Sequence, residues 1–182
     1  MPIYEEKRLH RRKSILYLAI AFLIIYMPFQ IGSRELRWDE VYYSQMALEM
    51  NLFKPNTFVH GEVISGNYPL FPWIASIFFK AGATPELGLR LVSVLSVLAM
   101  LVLAWEAARR ALDLQAASVS AALLMSSILF VDKSLDGYPN TLGLLFIFAA
   151  WIAWFMYGPV RGSWNMAWFI SFLFCGFSFY AI

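Results

Sequence analysis

Residues 69–83 read PLFPWIASIFFKAGA, and the fold of the whole chain depends on whether this stretch crosses a membrane. Its apolar part runs for only about 12 residues before Lys80, whereas a helix needs roughly 20 to span the hydrocarbon layer. Pro69 and Pro72 crowd the start, and proline is tolerated near the beginning of a helix but not in its interior. We therefore expect residues 69–83 to form an interfacial helix that does not span.

The composition is that of an integral membrane protein. Hydrophobic residues make up 60% of the 182 residues and charged residues only 14%, and the mean hydropathy of +0.62 is well above that of soluble domains. The net charge is only +2, but basic residues crowd ahead of the first apolar run, at Lys7, Arg8, Arg11, Arg12 and Lys13. Such a cluster before a spanning segment marks the cytoplasmic side, so no nucleic-acid partner is expected.

Five apolar runs are predicted to span the membrane. The first, residues 14–32, follows a cytoplasmic tail over residues 1–13. It is read as an uncleaved helix rather than a signal peptide, because large residues occupy the place of a small-residue cleavage site. The other four predicted spans are residues 87–108, 116–131, 141–157 and 164–182.

The distribution of arginine supports this count. Cytoplasmic loops collect Lys and Arg near the ends of spanning helices. If residues 69–83 do not span, Arg109, Arg110 and Arg161 all lie in cytoplasmic loops, whereas a sixth span would place all three outside. The predicted fold is therefore all-α, with about five transmembrane helices.

A long outer loop over residues 33–86, which carries the interfacial helices, precedes four further spans over residues 87–182. The loop holds Asp39 and Glu40, and a second, short outer loop holds Asp136, so the acidic residues are expected to share one face of the membrane. The last apolar run reaches the end of the chain without a polar cap. The chain is therefore expected to be incomplete, or to need a partner chain that supplies further helices.

Two adjacent carboxylates lie in RWDEVYYSQMALEM, residues 37–50, just beyond the first span. A helix is predicted over residues 40–50, with Asp39 as its N-cap. Trp38, Tyr42 and Tyr43 are of the kind that favours the headgroup level. A partly desolvated carboxylate at that level is placed to accept a proton from a hydroxyl or an amine, and this role is compatible with capping.

Further polar candidates flank the same face. Asn67 and Tyr68 precede the interfacial helix, and Arg90 lies near the outer end of the second span. Arg90 either snorkels to the interface or faces the bundle and neutralises a phosphate. Asp136, in LDGYPN, is either an ordinary turn residue or part of a site.

The succession RWDEVYYSQMALEM, GNYPLFPWI, LRLVSVLSVL and SLDGYPNTLGLLF resembles the N-terminal part of the GT-C type membrane glycosyltransferases that use polyprenyl-phosphate sugars. This group includes the protein O-mannosyltransferases and the bacterial aminoarabinose transferases that modify lipid A. The resemblance runs from Trp38 onward. It implies that Asp39 is the general base that activates the acceptor, and that Glu40, Tyr43 and Asp136 help to build the substrate pocket.

The chain departs from the family pattern at residues 66–69. Many relatives carry Glu-Lys-Pro-Pro where this chain reads Gly-Asn-Tyr-Pro, so the lysine expected to meet the donor phosphate is absent. Arg37, Lys80 and Arg90 are the candidates to supply that charge.

The expected activity is an inverting transfer of sugar from a polyprenyl-phosphate donor, within membrane lipid, to a lipid, glycan or protein acceptor. The expected location is the inner membrane, with the site on its outer face. No residue cluster has convincing metal spacing, and His60 stands alone, although a divalent metal would assist the leaving phosphate. The alternatives are a transporter or lipid-binding module, and an inactive truncated remnant.

Overall fold

The computed structural model describes residues 17–22, 24, 36, 38–50, 58–59, 62–63, 70–127 and 137–181. Residues 17–22 are helical. Two short strands, β1 (Phe58–Val59) and β2 (Glu62–Val63), pair in antiparallel fashion, with Phe58 opposite Val63. The remaining elements are α1 (Trp38–Glu49), α2 (Leu70–Lys80), α3 (Pro85–Ala111), α4 (Leu114–Ser126), α5 (Pro139–Tyr157) and α6 (Trp164–Ala181).

Two of the described helices are long and apolar enough to cross a membrane. These are α3, whose 27 residues extend about 40 Å, and α5, whose 19 residues extend about 28 Å. Both agree with predicted spans. Helix α4 has 13 residues and ends before the extended backbone of Ser127, so its described part is shorter than the predicted span over residues 116–131. Most of the first predicted span lies outside the described residues, and the count of five stays a prediction.

The stretch on which the topology depends forms α2, a helix of 11 residues and about 16 Å, too short to span. A tight turn follows, in which Gly82 adopts a φ of 95° that residues with a Cβ rarely tolerate. Thr84 then caps α3 by accepting a hydrogen bond from the Leu87 N–H, and Pro85 occupies the first turn. Helix α2 is therefore held beside the beginning of α3.

Two hydrophobic clusters share α3. One joins the side chain of Phe22 to α3 and α4, and its buried members include Val97, Leu101 and Ala117. The other joins α1, α2, α3 and α5, and its buried members are Ala47, Phe71, Ala75, Leu89, Val92 and Leu142. The second cluster packs α1 and α2 against the beginnings of α3 and α5.

Helices α3 and α5 run in the same direction. Their N-terminal ends meet beside α1, while Arg110 near the end of α3 and Tyr157 at the end of α5 line one groove. Helix α6 returns against α5, with the rings of Trp154 and Trp164 5.6 Å apart. The bundle therefore has an acidic end that carries α1 and an opposite end that carries arginines.

Candidate active site

The carboxylates of Asp39 and Glu40 lie in the first turn of α1. The helix begins at Trp38, so the prediction that Asp39 precedes the helix as its N-cap is wrong. Negative charge in the first turn still interacts favourably with the helix dipole. Successive helical residues point about 100° apart, and the two acids accordingly differ in environment: Asp39 is exposed, whereas Glu40 is only 1% exposed.

The buried carboxylate of Glu40 connects three segments of the chain. Its Oε1 accepts hydrogen bonds from Arg90 Nε at 3.3 Å and from the Gly137 backbone N–H at 2.7 Å. Its Oε2 accepts from Arg90 Nη2 at 3.3 Å. Arg90 is itself only 3% exposed. Because these partners belong to α3 and to the segment before α5, Glu40 fixes the start of α1 against both long helices.

Gly137 is needed where the chain approaches Glu40. A Cβ added at this position would lie 2.8 Å from the Cβ of Leu89 and 3.1 Å from Glu40 Oε1. The first distance is shorter than real Cβ contacts, and the Cβ of Leu89 is fixed directly to the α3 backbone. The absence of a side chain at residue 137 therefore allows the hydrogen bond to Glu40.

Asp39 is held from the same segment. The hydroxyl of Tyr138 donates a hydrogen bond to Asp39 Oδ2. Tyr138 is half-buried, and Pro139, which follows it, opens α5. The carboxylate of Asp39 is thus exposed to an incoming group, yet its position is fixed by a neighbouring phenol.

Tyr43 lies one turn further along α1. Its ring packs edge-on against Phe71 at 5.8 Å and against Tyr42 at 5.6 Å. Burial raises the pKa of the Tyr43 hydroxyl above 10.0, and the carboxylate of Asp39 and then Tyr42 raise it further. The hydroxyl is therefore neutral near pH 7 and remains a hydrogen-bond donor close to Asp39.

The structure brings four of the predicted site residues together: Asp39, Glu40, Tyr43 and Arg90. Arg90 faces the bundle, so the alternative in which it snorkels to the interface is wrong. The other three predicted residues, Asn67, Tyr68 and Asp136, lie outside the described residues.

Sequence reasoning missed the roles of Gly137 and Tyr138. Both lie in the turn-rich LDGYPN, where only Asp136 was singled out. The sequence feature that could have identified these roles is a glycine and an aromatic residue directly before Pro139, the first residue of α5. Besides Arg90 on α3, the partners of Asp39 and Glu40 therefore come from the end of the predicted second outer loop.

The described residues contain no group of three His, Cys, Asp or Glu side chains able to hold a metal ion. Asp39 and Glu40 are adjacent, but both oxygens of Glu40 already accept hydrogen bonds. The chemistry that the arrangement supports is proton transfer at a single carboxylate beside neutral phenols.

An apolar groove of about 750 Å³ lies between α3, α4, α5 and α6. One of its lining residues, Thr141, is nearly fully buried and follows Tyr138 by three positions, about one helical turn. Further along, the groove is lined by Val97, Leu144 and Phe148. The apolar groove therefore begins about one helical turn along α5 from Tyr138, whose hydroxyl donates to Asp39.

Comparison with known proteins identifies the family. Residues 66–181 match the family described as dolichyl-phosphate-mannose-protein mannosyltransferase. The match covers more than half of the chain and includes Arg90 and Tyr138, while Asp39 and Glu40 precede it. Neither a curated protein nor a solved structure matches the chain significantly. Since so much of the sequence matches, the chain belongs to the dolichyl-phosphate-mannose-protein mannosyltransferase family, a family of GT-C type membrane glycosyltransferases.

Proposed function

We propose that the chain transfers a sugar from a polyprenyl-phosphate donor to a hydroxyl or amine of a lipid, glycan or protein acceptor, with Asp39 as the general base. The family supports the class of donor. The observation that carries the proposal is the exposed Asp39 carboxylate, oriented by the Tyr138 hydroxyl beside a buried ion pair. We place the reaction at the outer face of the inner membrane, as the arginine distribution predicts.

The proposed reaction is a single displacement with inversion. Asp39 accepts the proton of the acceptor while the acceptor oxygen or nitrogen bonds to the anomeric carbon of the sugar. The bond from that carbon to the phosphate oxygen breaks, and its electron pair leaves with the polyprenyl phosphate. Because the leaving phosphate is already stable as an anion, a nearby positive charge assists it more than an acid would.

Glu40 and Arg90 act in this proposal as positioning residues. Their mutual hydrogen bonds satisfy the charge of each in a buried place, and they fix the helix turn that carries Asp39. Tyr43 and Tyr138 present neutral hydroxyls to the same carboxylate or to the sugar. Asp136 remains a proposed substrate ligand on the family resemblance, and Asn67 and Tyr68 remain proposed substrate ligands as polar residues just before α2.

The charge that meets the donor phosphate is assigned to Arg37. Lys80 is a poor candidate because its Nζ donates to the carbonyl of Met50 at 3.3 Å, at the far end of α1 and about 16 Å from Asp39. Arg90 is already paired with Glu40. Arg37 lies outside the described residues, but it precedes Asp39 by two positions in the sequence.

The groove below Thr141 is the proposed place for the first part of the donor's lipid chain. It is lined almost wholly by apolar side chains, and two of the four helices beside it, α3 and α5, carry or adjoin partners of Glu40 and Asp39. A polyprenyl chain there would bury apolar surface and would hold its phosphate near the Asp39 end of the bundle.

Asp39→Asn tests the proposal, because the amide keeps the shape of the side chain but cannot accept the proton. We expect the variant to lose about 10²- to 10⁴-fold of the rate of mannose transfer from a labelled polyprenyl-phosphate mannose to membrane acceptors. The matched control is Asp113→Asn, which keeps the cap of α4 at the opposite end and should leave the rate unchanged.

The proposal fails if the folded Asp39→Asn variant transfers mannose at the rate of the native chain. It also fails if the native full chain, with acceptor membranes supplied, transfers sugar from none of a panel of polyprenyl-phosphate sugars that includes mannose. Melting curves of each purified variant show whether a lost rate reflects a lost fold.

A further inference from the structure

A second groove, of about 810 Å³, lies on the side of the bundle formed by α3, α5 and α6. Its lining includes Leu95 and Ala99 on α3, Phe146 on α5 and Phe174 on α6. Along α3 the lining runs from Leu95 to Arg110, about 22 Å of helix. One leaflet of a bilayer contributes roughly 15 Å of hydrocarbon, so the groove is long enough for an extended acyl chain.

The polar residues that line this groove are gathered at one end. They are Glu106, Arg110 and Tyr157, at the ends of α3 and α5. Tyr157 is the kind of residue that lies at the headgroup level of a membrane. An apolar groove with charge at one end has the polarity of a lipid with a charged headgroup.

The charged end of the groove carries a net positive charge, because arginines outnumber carboxylates there. Glu106 accepts hydrogen bonds from Arg109 Nη2 at 2.9 Å and from Arg110 Nε at 2.6 Å. Arg161 lies over the ring of Tyr157, 5.1 Å from its centroid. Even with Asp113, which caps α4, counted beside Glu106, these three arginines leave the described charged groups here at +1.

Arg110 is suited to bind an anion while it stays paired. A guanidinium carries five N–H donors in a planar fork, and within the described part of the chain Arg110 uses Nε toward Glu106. Its side chain is 37% exposed and lines the groove. Its terminal nitrogens are thus available to the oxygens of a phosphate at the groove's end.

From this arrangement we propose that the groove between α3, α5 and α6 binds one anionic phospholipid, with an acyl chain along α3 and the phosphate on Arg110 and Arg161. The site lies at the opposite end of the bundle from Asp39. It therefore belongs to the other leaflet from the proposed sugar donor, and it does not depend on the transferase activity.

The test is native mass spectrometry of the purified full chain, titrated in detergent with phosphatidylglycerol or with phosphatidylcholine of the same acyl chains. We expect one phosphatidylglycerol to bind in preference to phosphatidylcholine. Arg110→Gln should weaken phosphatidylglycerol binding about fivefold and phosphatidylcholine binding less, because the choline cation already offsets the phosphate charge of the second lipid. The matched control is Arg109→Gln, which loses two hydrogen bonds to Glu106, but Arg109 is not among the residues that line the groove.

A second variant tests the groove itself. Ala99→Trp fills its middle and should weaken the binding of the preferred lipid without altering the charged end. Equal binding of the two lipids by the native chain would overturn the proposal, as would equal losses in the Arg110 and Arg109 variants. A polypeptide that co-purifies on this face and excludes phosphatidylglycerol would also overturn it, because the groove would then be a protein contact.

Discussion

The two charged ends of the bundle hold their arginines in different ways. At the end that carries α1, Arg90 pairs with Glu40, 50 residues away in sequence, and both side chains are almost fully buried. At the opposite end, Arg109 and Arg110 pair with Glu106 on the same helix, three and four residues away, and the arginines are 30% and 37% exposed.

The ion pairs at the two ends differ in which parts of the structure they hold together. A buried ion pair between separate elements leaves an uncompensated charge in the interior when one partner is lost. A partly exposed pair within one helix contributes less, because water and salt can take the place of the partner. The first pair therefore fixes the relative positions of α1, α3 and the start of α5, whereas the second leaves its arginines available to other anions.

Arg90→Met should show the largest effect. Loss of the guanidinium leaves the Glu40 carboxylate buried beside apolar groups, and we expect the free energy of unfolding to fall by about 3–5 kcal/mol. Thermal unfolding of the purified full chain in detergent measures this.

The double variant Glu40→Gln/Arg90→Met tests whether the buried charge of Glu40 causes that loss of stability. The carboxamide oxygen of Gln still accepts the Gly137 N–H, and no charge remains buried, so most of the lost stability should return. If the double variant is no more stable than Arg90→Met, then packing rather than charge is responsible.

Gly137→Ala should have the next largest effect. The new methyl group meets the Cβ of Leu89, which can move only with the α3 backbone, and we expect a loss of about 1–3 kcal/mol. The control is Gly176→Ala in α6, where an added Cβ meets nothing within 4 Å and alanine favours the helix. Similar melting temperatures for the two variants would contradict the close approach at residue 137.

Tyr138→Phe removes the hydroxyl that donates to Asp39. Since a hydrogen bond to a charged group is typically worth about 1.5–3 kcal/mol, we expect kcat/KM for sugar transfer to fall about tenfold or more. The same hydrogen bond contributes to the folded state, so the melting temperature should also fall, and the rate is compared at a temperature where both proteins are folded. A variant that transfers sugar normally would show that Asp39 does not need this phenol for its orientation.

Arg109→Met, in the same helix as Arg90, should have the smallest effect. It removes a partly exposed ion pair within one helix and a contact 5.6 Å from the Trp105 ring, which together contribute about 1 kcal/mol or less. That loss should shrink further at high salt, where the native pair is already screened. A loss as large as that of Arg90→Met would remove the distinction between the two ends.

The sequence was most informative where the pattern is local. Apolar runs and their flanking prolines located α3 and α5 to within about three residues, and showed that α2 is too short to span. The start of α1 lies two residues before the predicted one, a shift no larger than those of α3 and α5, but here it moves Asp39 from the predicted N-cap into the helix.

The candidate site could be predicted only in part. Asp39, Glu40 and Arg90 were recognised as unusual for a membrane chain, but a planar guanidinium suits a phosphate and a carboxylate equally well. The choice between these partners depends on the packing of α1 against α3, which connects residues 50 positions apart. Gly137 was missed for the same reason. A glycine is needed there because residue 137 lies against Leu89, and no local sequence pattern contains that contact.

The Glu40 hydrogen bonds also imply an order of events during cotranslational folding. Arg90 leaves the ribosome 50 residues after Glu40, and Gly137 follows Glu40 by 97. At translation speeds of about 5–20 residues per second, Gly137, whose backbone N–H donates to Glu40, is synthesised roughly 5–20 s after Glu40. Arg90 arrives about halfway through that interval, so the ion pair with α3 can form before the segment that opens α5 exists. The turn that carries Asp39 is thus complete only once α5 begins to emerge.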